Sequence, residues 1–191
     1  MTVTSTVRTA RRAAGVRQRD LALRTGIAES SLSQIERGHR VASTETADRI
    51  LAGLGVRLVA YRSRAGDVAD AARGISDRLS AGNAPGAVRR FVQLADDLDH
   101  APAEERYLLS LTEPSTTGAE TWDAALAALV QHRLEALSLP APSWTDAPER
   151  FLSQEWILSG GPYVVPVDAD EAPPAFRRRG VLIDPSFLES V

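Results

Sequence analysis

Cysteine and lysine are both absent from the 191 residues, and only ten residues are aromatic. Without cysteine, disulfides and thiolate metal sites are excluded, and a reducing, cytoplasmic location is expected. The three histidines, His39, His100 and His132, lie far apart in the sequence. None of them stands at ligand spacing from another histidine or an acidic pair. We therefore predict no metal site.

Long apolar runs and catalytic motifs are also missing. The N-terminal segment carries arginines with no apolar run behind them, so we expect no signal peptide. No stretch approaches the ~18 apolar residues that a membrane span needs, so no membrane partner is expected. There is no Walker loop, GxSxG or GxGxxG motif, and the clustered Asp96, Asp97 and Asp99 would fan out around a helix. We predict that the protein is not an enzyme and binds no cofactor.

Charge is divided unevenly along the chain. Residues 1–64 contain 12 arginines and five acidic residues, a net charge of +7. Residues 65–191 contain ten arginines and 20 acidic residues, a net charge of −10. A basic segment attached to an acidic one suits phosphate binding at one end. The net charge of −3 for the whole chain is therefore no argument against DNA binding.

The segment 18–38 predicts two short helices joined by a three-residue turn. Leu21 lies on the apolar side of the first helix, and Gly26 supplies a turn position that requires a positive φ. Leu32 and Ile35 form an i, i+3 apolar edge on the second helix. The remaining residues of the second helix are polar and point outward: Glu29, Ser30, Ser33, Gln34 and Arg37. Such a face suits a helix that lies in the major groove of DNA.

This segment resembles the helix-turn-helix of XRE-type, phage-repressor-like DNA-binding domains. The similarity extends over about residues 7–54 and rests on matching positions throughout the motif: Gln18, Leu21, Ala22, Gly26, Ile27, Leu32, Ser33, Ile35, Glu36 and Gly38. The chain departs from the family at Ala28, where a serine or threonine N-cap is usual. That loss costs roughly 1 kcal/mol of helix stability. The resemblance implies a lambda-repressor-like domain followed by a strand, within residues 1–64.

The resemblance implies roles for individual side chains. In this family an arginine at the position of Arg11 pairs with the glutamate at the position of Glu36, which would connect the first helix to the end of the second helix of the motif. The loop after Gly38 lies where the family contacts phosphates, and Ser43 or Thr44 would cap the helix that follows. The candidate phosphate contacts are Arg17, Gln18, Arg37, His39, Arg40 and Thr44.

The candidate base readers are Glu29, Ser30, Ser33 and Gln34. Gln34 can pair bidentately with adenine, and Ser30 can donate or accept at either kind of base pair. Glu29 can accept from a cytosine amino group. Glu29 also has a second explanation, because an acid in the first turn favours the helix dipole whether or not DNA is present.

Residues 56–62 are apolar and β-branched after the break at Gly55, which predicts a strand. A lone strand is not stable in water. Its partner is either the same strand of a second subunit, as in some antitoxin repressors that this plan resembles, or the apolar run at 181–183. A two-fold dimer would place two recognition helices about one turn of DNA apart, on a palindromic operator.

Residues 65–138 predict a helical domain, which makes the expected fold mainly α. Val68, Ala72, Ile75 and Leu79 repeat at helical spacing. Further amphipathic helices are expected at 85–98, 102–111 and 121–137, the last with a single apolar stripe. Four such helices can form a compact domain.

Residues 139–191 form an irregular, proline-containing tail with six of the ten aromatic residues. We expect a helix at about 148–158, a short helix near 175–179 and a strand-like segment at 181–184. The aromatic residues either wrap onto the helical domain, which we favour, or form a surface for a partner. The candidate partner contacts are Trp144, Trp156, Arg177, Arg178 and Arg179. A solvated helix face is the other explanation of the three arginines.

Three functions share DNA binding as their common element. The first is a sequence-specific repressor that occupies a promoter as a homodimer. The second, which we favour from the resemblance, is the antitoxin of a toxin–antitoxin pair, which binds a protein toxin through residues 65–191 and represses its own operon. The alternative is a one-component repressor whose helical domain senses a small ligand.

Overall fold

The chain forms two compact units, Met1–Ser63 and Arg64–Val191. The computed structural model describes residues 3–57, 65–159 and 166–189. Helices dominate both units in the described residues, and the strands there are only two residues long. The predicted fold class is therefore confirmed: a helix-turn-helix at the N-terminus is followed by a largely helical region.

Four helices build the first unit. They are α1 (Val3–Ala13), α2 (Gln18–Thr25), α3 (Glu29–Glu36) and α4 (Thr44–Ala52). Their apolar sides meet in one core, which consists of Val7, Leu21, Leu32, Ile35, Ala42, Ala47, Ile50 and Leu51. The sequence predicts α1 over residues 5–15, whereas the helix ends at Ala13 because the chain turns at Gly15.

Two glycines shape the ends of the helix-turn-helix. Gly26 has a φ of +68° where α2 ends, and Gly38 has a φ of +77° just after α3. Residues with a Cβ rarely adopt this left-handed conformation, so glycine is the least strained choice at both positions. The turn and the loop after α3 therefore depend on these two residues.

The strand predicted at 56–62 falls mostly outside the described residues. Its first two residues, Val56 and Arg57, are not part of a strand. The amide of Val56 instead donates to the carbonyl oxygen of Leu51 at 2.9 Å, which closes the end of α4. The rest of the predicted strand, residues 58–62, is not described.

The second unit contains four longer helices, one short helix and a small sheet. The longer helices are α5 (Val68–Ser80), α6 (Ala84–His100), α7 (Ala103–Leu111) and α8 (Glu120–Glu135). The tail adds β1 (Trp156–Ile157), α9 (Pro174–Arg177) and β2 (Val181–Leu182). Strands β1 and β2 pair in parallel, with Trp156 opposite Val181 and Ile157 opposite Leu182. Within residues 3–57, 65–159 and 166–189 of the whole chain, no helix is both long enough and apolar enough to span a bilayer.

Helix α8 is the centre of the second unit. The sequence predicts a single apolar stripe, but almost every residue from Trp122 to Leu134 is buried. Four alanines make this possible because their small side chains let neighbouring elements approach from several directions: Ala124, Ala125, Ala127 and Ala128. A helix buried on all sides need not be amphipathic. The predicted stripe is buried at Leu126, Leu129, Val130 and Leu134, whereas Leu137 lies beyond the end of the helix and is exposed.

The tail packs onto the helices and completes their core. Trp144, Phe176, Val181, Ile183 and Leu188 belong to the same apolar cluster as the residues of α5, α6 and α8. The predicted helix at 148–158 is wrong. Only a short 3₁₀ turn, Pro148–Arg150, is present, and the chain then extends into β1. The backbone amide and carbonyl groups of β1 form hydrogen bonds with β2, whereas in a helix they would bond within the segment itself.

Four arginines of this unit are buried and bind backbone carbonyl groups. Arg106 donates to the carbonyl oxygen of Arg133 at 3.3 Å, and Arg133 donates to that of Leu188 at 2.5 Å. Arg150 donates to the carbonyl oxygen of Pro114 at 3.1 Å, and its guanidinium lies over the ring of Trp144. Arg179 is the fourth. These bonds fasten loops and the tail to the helical core.

Several residues of the tail that we predicted to contact a partner are buried or already paired within the chain. Trp144 and Arg179 lie in the interior and are not available to a partner. Trp156 is half-buried against Trp122, with ring centroids 5.5 Å apart. Arg177 and Arg178 are exposed, but each pairs within the chain: Arg177 with Asp170 at 3.0 Å, and Arg178 with Asp146.

Candidate DNA-binding surface

Helix α3 has one side in the core and one side in solvent. Leu32 and Ile35 are buried and hold the helix against its neighbours. Of the four candidate base readers, Glu29, Ser30 and Gln34 are exposed, while Ser33 is half-buried. Arg37, directly after the helix, is exposed as well. The side away from the core is thus polar, and most of it is accessible.

The start of α3 has no side-chain cap. Ala28 occupies the N-cap position with extended backbone angles, φ −57° and ψ 135°, and no side-chain hydrogen bond closes the first turn. The amide groups of this turn are the free donors that a helix N-terminus presents to an acceptor or to water. Glu29 supplies the only acidic side chain there, where it favours the helix dipole.

The loop after α3 is fastened to Gln34 by its backbone. The amides of His39 and Arg40 both donate to the carbonyl oxygen of Gln34, at 2.9 and 3.2 Å. The side chain of Arg40 donates to the hydroxyl of Ser31 at 3.3 Å. This geometry places two candidate phosphate contacts at a fixed position relative to a candidate base reader.

Helix α4 begins directly after this loop. Ser43 is its N-cap, and its hydroxyl accepts from the amide of Thr46 at 3.2 Å. Thr44, the first residue of the helix, is exposed. A shallow pocket lies between α3 and the start of α4, and it is lined by Ile27, Ser31, Ile35, Arg40, Val41, Ala42, Ser43 and Thr46. Arg40 and the hydroxyl groups give its rim a polar, cationic character.

Arg11 and Glu36, which the resemblance pairs, are in contact. Nε of Arg11 donates to Oε1 of Glu36 at 2.6 Å, and Nη2 donates to Oε2 at 2.8 Å. The side chain of Glu36 is only 4% exposed and that of Arg11 15%. Two parallel bonds between a guanidinium and a carboxylate fix both side chains in orientation. The pair links α1 to the last turn of α3.

Gln18, a candidate phosphate contact, instead points at this pair. Its Nε2 donates to Oε2 of Glu36 at 2.6 Å. The other candidates for phosphate contact, Arg17, Arg37, His39, Arg40 and Thr44, are all exposed. The sequence did not predict this role for Gln18, because a glutamine at the start of a helix has no single preferred hydrogen-bond partner. Glu36, 18 residues later, was the only residue that pointed to it.

The carboxyl of Glu36 responds to two opposing influences. Burial alone would raise its pKa, but the hydrogen bonds from Arg11 and Gln18, together with the charge of Arg11, lower the pKa overall. The carboxylate is therefore ionised at neutral pH. Since the buried charge is paired with a cation, its desolvation is compensated.

Within residues 3–57, 65–159 and 166–189, no three histidine or acidic side chains converge in a way that could hold a metal ion. The exposed polar groups of α3 and the adjoining loop are hydroxyls, an amide, one carboxylate, the imidazole of His39 and arginines. These groups donate to and accept from base edges and phosphates.

A family model described as helix-turn-helix, HTH_3, matches residues 7–60. The match covers somewhat more than a quarter of the chain and includes α1 from Val7 onward and all of α2, α3 and α4. Comparisons with curated proteins and with solved structures gave no match to the chain.

The buried anchor residues of α3, its polar outer side and the basic loop define a DNA-binding helix-turn-helix protein. Residues 7–60 form an XRE-type helix-turn-helix domain. The chain is accordingly a DNA-binding transcription regulator.

Proposed function

We propose that the protein is a dimeric repressor that occupies a palindromic operator and acts as the antitoxin of a toxin–antitoxin pair, repressing its own operon. The observation that carries the DNA-binding part is the accessible polar side of α3. Glu29, Ser30 and Gln34 are exposed on a helix whose opposite side is anchored by Leu32 and Ile35. Such a helix can enter the major groove without uncovering any of the core.

Base reading is assigned by chemistry. Gln34 has both a donor and an acceptor on one amide and pairs with N6 and N7 of adenine. Ser30 donates or accepts, and Glu29 accepts from cytosine N4. Ser33 is half-buried, so it contributes less than the other three. Phosphate contacts are assigned to the exposed set: Arg17, Arg37, His39, Arg40 and Thr44.

Dimerisation follows from the size of the reading surface. α3 has only eight residues, so one copy reads a few base pairs. Two copies related by a two-fold axis would read half-sites about one helical turn apart. The strand predicted at 56–62 is not present at its first two residues, Val56 and Arg57, and the rest of the prediction, residues 58–62, is our candidate for joining the copies.

The chemistry of the second unit favours a protein partner over a second contact with nucleic acid. Residues 65–191 contain ten arginines and 20 acidic residues, of which four arginines and three acidic residues (Asp67, Glu113 and Asp123) are buried. The surface therefore keeps the excess of negative charge that the sequence shows, and it would be repelled by phosphates. A basic protein, such as a toxin that acts on nucleic acid, is the complementary partner.

Footprinting of the full-length protein on the DNA upstream of its own gene tests DNA recognition. The expected result is protection of a palindrome with half-site centres ~10 base pairs apart. The same measurement with Gln34→Ala distinguishes base recognition by Gln34 from sequence-independent electrostatic binding to the DNA backbone. Binding of equal strength to all sequences, by the unchanged protein, would refute the proposed repressor.

Co-expression tests the antitoxin role. The product of the neighbouring gene should arrest growth when expressed alone, and the full-length chain should relieve the arrest and co-elute with that product. Gln34→Ala should still relieve it, because that variant alters only the DNA-binding surface. A protein that binds its operator only when a small molecule is added, and relieves no growth arrest, would instead be the ligand-sensing repressor.

A further inference from the structure

Gln18 is the first residue of α2, a position close to the phosphates in the proposed complex. Its side chain, however, is directed inward. Nε2 donates to Oε2 of Glu36 at 2.6 Å, and Gln18 is half-buried. Arg17, the preceding residue, is exposed. Two adjacent residues at the same helix start therefore have different environments.

Glu36 is the common acceptor of three donors from two helices. Oε1 accepts from Nε of Arg11, while Oε2 accepts from Nη2 of Arg11 and from Gln18. Arg11 also donates from Nη1 to the carbonyl oxygen of Val16 at 2.8 Å, directly before α2. One buried carboxylate thus joins α1, the start of α2 and the last turn of α3.

Moving the Gln18 amide toward a phosphate would break this arrangement. Oε2 of Glu36 would lose one of its donors in a site with almost no access to water. Hydrogen bonds to a buried charge are among the strongest in proteins. The Gln18 bond therefore holds the start of α2 at a constant distance from the end of α3. In the proposed complex the start of α2 faces the DNA backbone and α3 faces the bases.

We propose that Gln18 is a positioning residue, which sets the orientation of α3 in the groove through Glu36 and makes no phosphate contact with its side chain. This inference rests on the proposed DNA-binding function. Its consequence concerns specificity. Loss of the bond lets α3 shift relative to the phosphate contacts, so binding to the correct operator weakens while binding to unrelated DNA does not change.

The test replaces Gln18 with methionine, which has a similar length but no donor. Affinities of the full-length protein for its operator and for unrelated DNA are measured at the same salt concentration, because binding to DNA depends steeply on salt. Gln93→Met, a change to an exposed glutamine of α6, is the control. Thermal unfolding verifies that each variant is folded.

For Gln18→Met we expect operator affinity to fall about tenfold, with the affinity for unrelated DNA unchanged. A phosphate contact gives a different result: both DNAs would be bound more weakly by the same factor, because phosphate contacts carry no sequence information. That result, or no change at all, would overturn the inference. A wild-type protein without sequence preference would refute the proposed function instead.

A second measurement needs no DNA specificity and no variant. In a ¹⁵N NMR titration, the side-chain amide signals of Gln18 should shift as Glu36 takes up its proton. They should stay in place when short unrelated DNA is added. Signals that move with DNA and ignore the titration of Glu36 would place the amide at a phosphate, and the inference would be wrong even if the protein recognised no operator.

Discussion

Arg179 donates from Nη1 to Oε1 of Gln131, 2.5 Å away, although its side chain is completely buried. It also donates to the carbonyl oxygens of Ala175 at 2.9 Å and Thr145 at 2.7 Å. Burial, and then the charge of Arg178, lowers the pKa of Arg179 to about 10. The side chain thus stays protonated at neutral pH. Through these bonds the tail is joined to the central helix α8.

Replacing Arg179 with alanine should lower the unfolding free energy of the second unit by about 3 kcal/mol or more, because Gln131 and Thr145 would keep buried acceptors without a donor. Arg177→Ala, at an exposed ion pair two residues away, should change it by less than about 0.5 kcal/mol. All three tryptophans lie in residues 64–191, so urea unfolding followed by tryptophan fluorescence reports on this unit. Equal effects of the two changes would show that the buried bonds do not stabilise the tail.

Gln34→Ala should cost about 1–3 kcal/mol at one base pair of each half-site, because alanine cannot bind an adenine edge. The measurement compares operator variants that differ at single base pairs, using fluorescence anisotropy with both proteins. At the position that Gln34 reads, the variant should no longer distinguish the bases. A uniform loss at every position would mean that Gln34 does not read a base.

Arg40→Ala should weaken binding to all DNA sequences alike and reduce the salt slope by about 1 per copy, because an exposed arginine beside the start of α4 is positioned for a phosphate. Arg24→Ala, which removes an exposed arginine from the last turn of α2, is the matched control and should leave the slope nearly unchanged. Similar slopes for both variants would contradict the assignment of Arg40.

The stability of the first unit should fall in acid through Glu36. Its pKa is lower in the folded protein than in the unfolded chain, so the unfolded state takes up the proton more readily. The stabilisation is fully present above the ordinary glutamate pKa of about 4.3 and is lost as the pH falls through the lower, folded value. Amide exchange of α3 at several pH values measures this loss. The variant Glu36→Gln has no carboxyl to titrate at this position. It should be less stable than the parent protein at neutral pH, and its stability should not show the loss in acid that comes from Glu36.

Ala28→Ser should stabilise α3 by about 1 kcal/mol, since the N-cap position has extended backbone angles and no side-chain bond. The reverse change at the neighbouring helix, Ser43→Ala, should cost a similar amount, because it removes the bond to the amide of Thr46. Thermal unfolding by circular dichroism compares the two variants with the parent protein. A destabilising Ala28→Ser would indicate that the open first turn of α3 is already satisfied in another way.

The helix-turn-helix could be predicted because its signals are local. The spacing of Leu32 and Ile35 and the glycine at position 26 specify helix, turn and helix within 20 residues, and the outward side chains follow from the helical period. The exposure of Glu29, Ser30 and Gln34 agrees with this prediction.

The second unit was harder to predict because distant contacts decide its local structure. Residues 156–157 are extended because they pair with a strand 25 residues further along the chain. Of the consecutive arginines 177–179, only Arg179 is buried, and nothing in a run of identical residues shows which one faces inward. The partner of Gln18 was missed for the same reason: its amide has several possible acceptors, and only the folded chain brings Glu36 within reach.

The backbone carbonyl of Gln34 holds the amides of His39 and Arg40, so α3 and the following loop move as one body. If α3 rotates in the groove to improve one base contact, the loop rotates with it, and the loop residues lose their contact with the phosphate. An operator with the right bases but an unusual groove width would then be bound less well, because the base contacts and the phosphate contacts cannot adjust independently of each other. DNA shape would therefore be recognised together with sequence.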